Sequence, residues 1–194
     1  TDDQFLKSGF DKDRFFRTQG TYSKIQCSKA CHNKLYDDKE LILEMMEKTD
    51  GDLKIPSELV PICPVCGEEM DLNLRKDSFF VEDEEWHEQN RNYIDFRQKA
   101  LNGKLLLLEF GIGFNTPIII RFPFDDLVKS NENVNLVRFN RSHTELTVKH
   151  NGNYYLVPED ELDNYVSPDI KEKYVPFKES IDETLKKIKY FVKI

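Results

Sequence analysis

The sequence predicts an α/β fold, and three features carry that prediction. A leucine run, Leu105 to Leu108 within the stretch Lys104–Phe110, is closed by Gly-Ile-Gly, as expected of a buried parallel strand ending in a turn. Two stretches have helical apolar spacing: Trp86, Tyr93, Phe96 and Leu101 within 82–101, and Ile181, Leu185, Ile188 and Phe191 within 180–193. Between residues 27 and 66 the composition changes. Two cysteine pairs there bracket a polar stretch, which marks a cysteine-rich module inserted into the α/β outline.

Taken in order, residues 4–10 form a short helix stopped by Gly9, and 14–17 and 22–26 read as short strands around Gly20. Asp38 to Lys48 is a helix with Leu41, Leu43, Met45 and Met46 as its apolar positions. Pro56, Pro61 and Pro64 make an irregular return, and Leu72 to Phe80 reads as a strand. The helix at 82–101 has acidic residues crowding its first turn, where they complement the helix dipole. Asn135 to Phe139 is a second core strand. Thr144 to His150 and Tyr154 to Val157 make a hairpin around Asn151-Gly152, a dipeptide suited to the positive φ of a tight turn. Ser180 and Glu183 form a capping box for the last helix.

Composition excludes several classes. At 194 residues and 39% hydrophobic, with 22 Phe and Tyr, the chain has material for a core and is too aromatic to be disordered. No apolar run approaches the ~20 residues of a membrane helix, and no secretory leader is visible. A net charge of −8 argues against nucleic acid or a membrane as partner. Four cysteines without an export signal point to a reducing compartment, the cytoplasm, where paired cysteines are more often metal ligands than disulfides. The chain opens on Thr1, so the expectation is a trimmed chain or a portion of something longer.

Cys27-x3-Cys31 and Cys63-x2-Cys66 are separated by 31 residues. Each pair supplies two thiolates to one tetrahedral ion. Zn²⁺ suits that set, and a closed four-thiolate shell leaves no position for water, so the expected role is structural. Two disulfides are the alternative. Pro64 stiffens the second knuckle, Gly67 lets it turn, and His32 stands beside Cys31 as a spare ligand. Downstream, Gly111-Ile112-Gly113-Phe114-Asn115-Thr116 lies at the carboxyl end of a core strand, where open α/β sheets bind ligands. A plain strand-to-helix turn would look the same. Asn140 follows the next strand and reads either as part of that edge or as a turn residue. His87, His143 and His150 form no spacing pattern; the acidic run 82–85 reads as a solvated helix start, and Trp86 as core.

Together these parts resemble the carboxyl-terminal portion of the sirtuin family, closer to the bacterial class linked to macrodomain proteins. The segments that carry the resemblance are Ser8-Gly9-Phe10-Asp11-Lys12, Thr18-Gln19-Gly20-Thr21-Tyr22, Gln26-Cys27-Ser28, Cys31-His32, Cys63-Pro64-Val65-Cys66-Gly67, Met70-Asp71-Leu72-Asn73-Leu74-Arg75, Phe80-Val81-Glu82-Asp83-Glu84-Glu85-Trp86-His87 and Gly111 to Pro117. They cover residues 1–140; the hairpin at 144–157 has no place in it.

The resemblance implies a Rossmann-like parallel sheet portion with an inserted small zinc-ribbon module. Residues 1–26 start the Rossmann-like portion, 27–80 form the zinc module and return, and 81–194 complete the sheet domain with a carboxyl-terminal helix. It implies NAD as cofactor and Zn²⁺ held by Cys27, Cys31, Cys63 and Cys66. Gln19 falls at the catalytic position, and Asp2 matches the Asp of a cut Asn-x-Asp motif. Gly111, Gly113, Phe114, Asn115 and Thr116 match the loop that meets the adenosine ribose, joined by Asn140. Val81 and Glu82 fall on the segment that pairs with substrate backbone. The family's glycine-rich and Asp-Phe-Arg motifs are absent from the sequence, so the resemblance implies that the pyrophosphate half of the site is missing and that the chain alone is inactive. The implied activity is mono-ADP-ribosyl transfer to a protein, a lipoyl-carrier protein in the resembling class, with a macrodomain protein as a further partner. A deacylase of the same fold, a non-catalytic zinc-stapled interaction module and, weakest, a nucleic-acid zinc ribbon are the alternatives.

Overall fold

A computed structural model describes residues 3–191, and the chain divides into two units after Phe96. The amino-terminal unit opens with α1 (Gln4–Lys7), and its sheet contains β1 (Gly20–Cys27), β2 (Tyr36–Asp37) and β3 (Met70–Leu74) in the order β2-β1-β3, antiparallel throughout. Between β2 and β3 lies α2 (Lys39–Lys48). The helix α3 (Glu84–Leu101) starts in this unit, and Phe16 packs edge-on against Trp86 and obliquely against Tyr93 on its first half.

The strand expected at 14–17 does not form. Lys12–Arg14 is a 3₁₀ turn capped by the Asp11 carboxylate, and the chain after it is extended but unpaired. The strand expected over 72–80 ends at Leu74, because Lys76 N–H folds back onto the Leu74 carbonyl. Helix α2 is present as expected, yet none of its residues is fully buried, and Leu43 and Met46 face solvent.

The second unit is built on a parallel sheet of β4 (Leu105–Phe110), β5 (Val134–Phe139) and β8 (Tyr174–Phe177), in the order β4-β5-β8. Helix α4 (Arg121–Ser130) crosses from β4 to β5. The hairpin β6 (Leu146–His150) and β7 (Asn153–Val157) follows, with Asn151 and Gly152 both at positive φ, and then α5 (Pro168–Lys173) and α6 (Ile181–Phe191). The core comprises Leu105, Leu107, Val128, Val134, Leu136, Leu146, Val157, Leu162, Ile170 and Tyr174. The unplaced hairpin thus supplies core residues. It also holds α4, because Thr147 donates from N–H and Oγ1 to Asp125 and Tyr154 stacks on Phe122 at 3.9 Å.

β4 corrects one expectation. Its burial alternates, with Leu105, Leu107 and Glu109 inward and Leu106, Leu108 and Phe110 outward within its unit, so only one face is buried. The capping box at Ser180 and Glu183 forms as read. Ile181 and Leu185 are exposed, and the side chains of Ile188 and Phe191 lie outside the described part.

Candidate functional site

The four cysteines converge. Cys27 closes β1, and Cys31 lies one tight turn on, where Ala30 adopts positive φ and donates to the Cys27 carbonyl. The second knuckle turns at Gly67, φ 78°, whose N–H donates to the Cys63 carbonyl. Cys27 and Cys66 sulfurs lie 3.5 Å apart, Cys31 and Cys63 sulfurs 3.6 Å, and all four within 4.8 Å of one another. Zn–S bonds of about 2.3 Å in a tetrahedron require S···S edges of about 3.8 Å. The donor set therefore fits Zn²⁺, and the cysteines are free thiols rather than disulfides. The Cys31 and Lys29 N–H groups point at the Cys27 sulfur and hold its thiol down at about 6 against the pull of burial, which favours the thiolate a metal needs. His32 is not a fifth ligand in this arrangement. Its Nδ1 lies 3.1 Å from the Cys31 sulfur and its Nε2 3.1 Å from the Tyr36 hydroxyl, as a hydrogen-bonding neighbour of a metal thiolate does.

Gln19 stands in the turn before β1. Gly20 is required there: it has φ 78°, and a Cβ would sit 1.9 Å from the Asn73 carbonyl oxygen across the sheet. The Gln19 carboxamide is half-buried and makes no hydrogen bond to the described residues. Its backbone is fixed by Arg75, whose N–H donates to the Gln19 carbonyl. The Arg75 side chain donates to the Thr18 carbonyl and to Glu82 (2.6 Å) and lies over the Phe80 ring. Arg75 thus joins the turn bearing Gln19 to the segment bearing Val81 and Glu82. Val81 is buried, and its N–H and carbonyl are both taken by the side chains of Gln26 and Asn73. A small, open cleft lies beside this turn, bordered by Arg17, Gly20, Thr21, Asn73, Trp86 and Gln89. The indole Nε1 of Trp86 is buried without a hydrogen-bond partner among the described residues. Asp2 lies outside the described residues. Its neighbour Asp3 accepts from Thr21 and Ser23 and pairs with Arg17 at 3.0 Å.

In the second unit, Gly111, Gly113, Phe114, Asn115 and Thr116 form the loop after β4, and Asn140 starts the loop after β5. Gly111 has φ 66° and Asn115 and Thr116 are exposed. Asn140 donates to the Ile112 carbonyl at 2.9 Å and accepts from Ser142 and His143 N–H, both at 3.0 Å, so its carboxamide ties the two loops together. Beneath them lies a charge cluster that is almost completely shielded from water. Arg138 donates twice to Glu109 (2.6 and 2.8 Å) and once to Asp125 (2.6 Å), and Arg121 approaches Glu109 at 3.4 Å. Two guanidiniums and two carboxylates balance. Burial lowers the Arg138 pKa, but the hydrogen bonds and charges of Glu109 and Asp125 more than offset this and raise it. Arg121 is lowered by burial and by Arg138, from a value so high that it stays charged.

Comparison with known proteins adds what geometry does not. No protein-family model matches the chain. A protein ADP-ribosyltransferase of Staphylococcus aureus is 36% identical over 141 residues, 72% of this chain and 44% of that protein. A Fusarium oxysporum f. sp. cubense protein named "Probable bifunctional ADP-ribose hydrolase/ADP-ribosyltransferase" is 31% identical over 144 residues, 71% of this chain and 24% of that protein. The chain is a homologue of proteins named ADP-ribosyltransferases. It spans less than half the length of each of these relatives.

Within this homologue of ADP-ribosyltransferases, Gln19, Val81 and Glu82 gather in one unit, and the glycine loop and Asn140 in the other. Sequence reasoning missed Arg75 as a bridge, the Gln26–Asn73 pair, and the whole cluster of Glu109, Arg121, Asp125 and Arg138. A signal for two of these exists: Glu109 continues the inward set Leu105 and Leu107, and Arg138 continues Val134 and Leu136. The two also face each other in register.

Proposed function

We propose that this chain carries part of a sirtuin-type, Rossmann-like site for NAD-dependent mono-ADP-ribosylation of a protein, with Zn²⁺ in a structural role. The observation that carries the reading is the homology to named ADP-ribosyltransferases over 72% of the chain. The chemistry of position 19 agrees with it. In the reaction, the bond from ribose to nicotinamide breaks and nicotinamide leaves, a bond from ribose to a protein nucleophile forms, and the nucleophile loses its proton to solvent water. Gln19, held by Arg75, orients a ribose hydroxyl or the incoming side chain by hydrogen bonds. A carboxamide has no basic form near neutral pH, so the proton transfer that deacylation requires has no acceptor at this position. The loop 111–116 takes the adenosine ribose, and the segment at Val81 and Glu82 meets the protein substrate through groups other than the Val81 N–H and carbonyl, which Gln26 and Asn73 already hold. Asp2 is, in this reading, the Asp of the cut Asn-x-Asp motif.

The acceptor we propose is a lipoyl-carrier protein in the cytoplasm. The name of the Fusarium relative joins an ADP-ribose hydrolase to a transferase; the further partner we propose for this chain is a macrodomain protein. The experiment uses the full-length protein with labelled NAD, a lipoylated carrier protein and an acyl-lysine peptide. Label is expected on the carrier, and Gln19→Ala is expected to reduce it at least about tenfold. Deacylation of the peptide without a labelled protein product defeats the reading; unchanged transfer by Gln19→Ala makes Gln19 a bystander.

A further inference from the structure

Resting on the nucleotide-loop reading above, we propose that Arg121 is a positioning residue that locks the loops after β4 and β5 into one preformed nucleotide cradle. Those loops have little regular backbone bonding of their own. Gly111 N–H still reaches the Phe139 carbonyl at 2.8 Å, but residues 112–115 are shaped by side chains. Arg121 is the first residue of α4 and is fully buried. Its guanidinium donates to the Ile112 carbonyl (3.0 Å), the His143 carbonyl (2.8 Å) and the Glu145 carbonyl (2.7 Å), and lies 4.4 Å over the Phe114 ring. One fork therefore fixes two points of the first loop and two of the second. Only a planar group with several fixed donors does this; a lysine ammonium reaches fewer acceptors at once.

Burying a charge to hold carbonyls is a costly way to stabilise a fold, because apolar packing of equal volume does as well or better. What the arrangement gives instead is a fixed geometry. Asn140 is the second strut: its carboxamide is already committed to Ile112, Ser142 and His143. The residues left open to a ligand, Asn115 and Thr116, carry none of these ties. Holding the loops and meeting the ligand thus fall to different residues, as a preorganised site requires. Arg121 does not touch the ligand; it acts through Ile112, Phe114 and His143.

The test compares wild type, Arg121→Gln and Arg121→Lys in the full-length protein, by amide hydrogen exchange and by titration with ADP-ribose. In Arg121→Gln, amides of 111–116 and 140–145 are expected to exchange at least about tenfold faster while β4 and β5 stay protected. The Kd for ADP-ribose and the KM for NAD are expected to rise about tenfold or more, with kcat within about twofold, because preorganisation is lost while the reacting groups are intact. Arg121→Lys is expected to fall between the two. Loops that stay as protected as in wild type overturn the proposal, as does a fall in kcat with KM unmoved. If Arg121→Gln does not fold, Arg121→Lys decides by the same readings, and wild-type loop protection in it is again the overturning result. If wild type binds neither ADP-ribose nor NAD, the nucleotide reading fails and with it the cradle; the exchange data then still report whether Arg121 ties the loops.

Discussion

In the amino-terminal unit the buried hydrophobic residues are Ile25, Cys27, Leu59, Cys63 and Val81, and two of these are thiols at the metal position. In the carboxyl-terminal unit ten buried hydrophobics form one core over a neutral cluster of four buried charges. The first unit leaves Ile42, Leu43, Met46, Leu53 and Val65 exposed and brings together four cysteines that could hold a metal. The second depends on packing and on paired charges. Two units of similar length thus reach ordered loops by different physics, and they are expected to fail under different insults.

The largest effect expected is metal removal. Analysis of purified protein is expected to find one Zn²⁺ per chain. Stripping it, or introducing Cys63→Ser, is expected to unfold residues 20–74, since structural zinc sites contribute on the order of 10 kcal/mol to folding. Amide exchange then separates the units: protection is lost in β1 and β3 and kept in β4 and β5. Equal loss in both would mean that the two units do not differ in what stabilises them.

Next is Arg138→Met, which leaves Glu109 and Asp125 buried without their main partner. A loss of about 3–5 kcal/mol is expected, confined to the second unit and without change in zinc content. Adding Glu109→Leu is expected to restore part of it, because a lone buried carboxylate is then replaced by packing. Denaturant melts of the single and double variants make the comparison, and a double variant no more stable than the single one contradicts this account.

Gly20→Ala is expected to cost about 2 kcal/mol or more in the first unit, from positive φ and collision with the Asn73 carbonyl. It moves the backbone that presents Gln19, so transfer activity is expected to fall while bound zinc stays. A melting curve and a metal assay on one sample check both halves.

The smallest effect is electrostatic. Glu159 accepts from Thr144 (2.6 Å) and pairs with Lys178 (3.1 Å). Burial raises its pKa, but Thr144 and Lys178 outweigh burial and lower it. A carboxyl lowered in the folded state stabilises above its unfolded value of about 4.3 and loses that contribution as pH falls through the lower folded value. Glu159→Gln is therefore expected to lower the melting temperature of the second unit slightly at pH 7, with the gap from wild type closing below about pH 4. The Lys178 end is exposed, so the pair contributes no more than about 1 kcal/mol. A gap that widens in acid gives this role to another group.

Much of the fold could be read from local chemistry. The Leu105–Leu108 run, the Asn151-Gly152 turn and the Ser180/Glu183 box each state their structure within a few residues, and all three form. So do the cysteine pairs, because a tetrahedral ion demands short spacing twice. The failures are non-local. β8 is only four residues long and contains Pro176, which sequence rules read against a strand; pairing along β5 makes it one. Residues 14–17 have the composition of a strand and no neighbour to pair with. The charges at Glu109, Arg121, Asp125 and Arg138 look like surface residues one at a time, and only the register of β4 on β5 shows that they meet. Candidate site residues were legible as motifs, whereas the residues holding them were not, because a strut is recognisable only by what it connects.

The neutral cluster also has a consequence for how this chain can change over generations. Glu109, Arg121, Asp125 and Arg138 sit on two strands and one helix, and any single replacement that removes a charge leaves an odd charge sealed from water. Drift at one position is then blocked unless another moves with it. Among related sequences the four are expected to travel as a set, retained together or exchanged together for apolar side chains, while Asn115 and Thr116 on the open rim vary with whatever they meet.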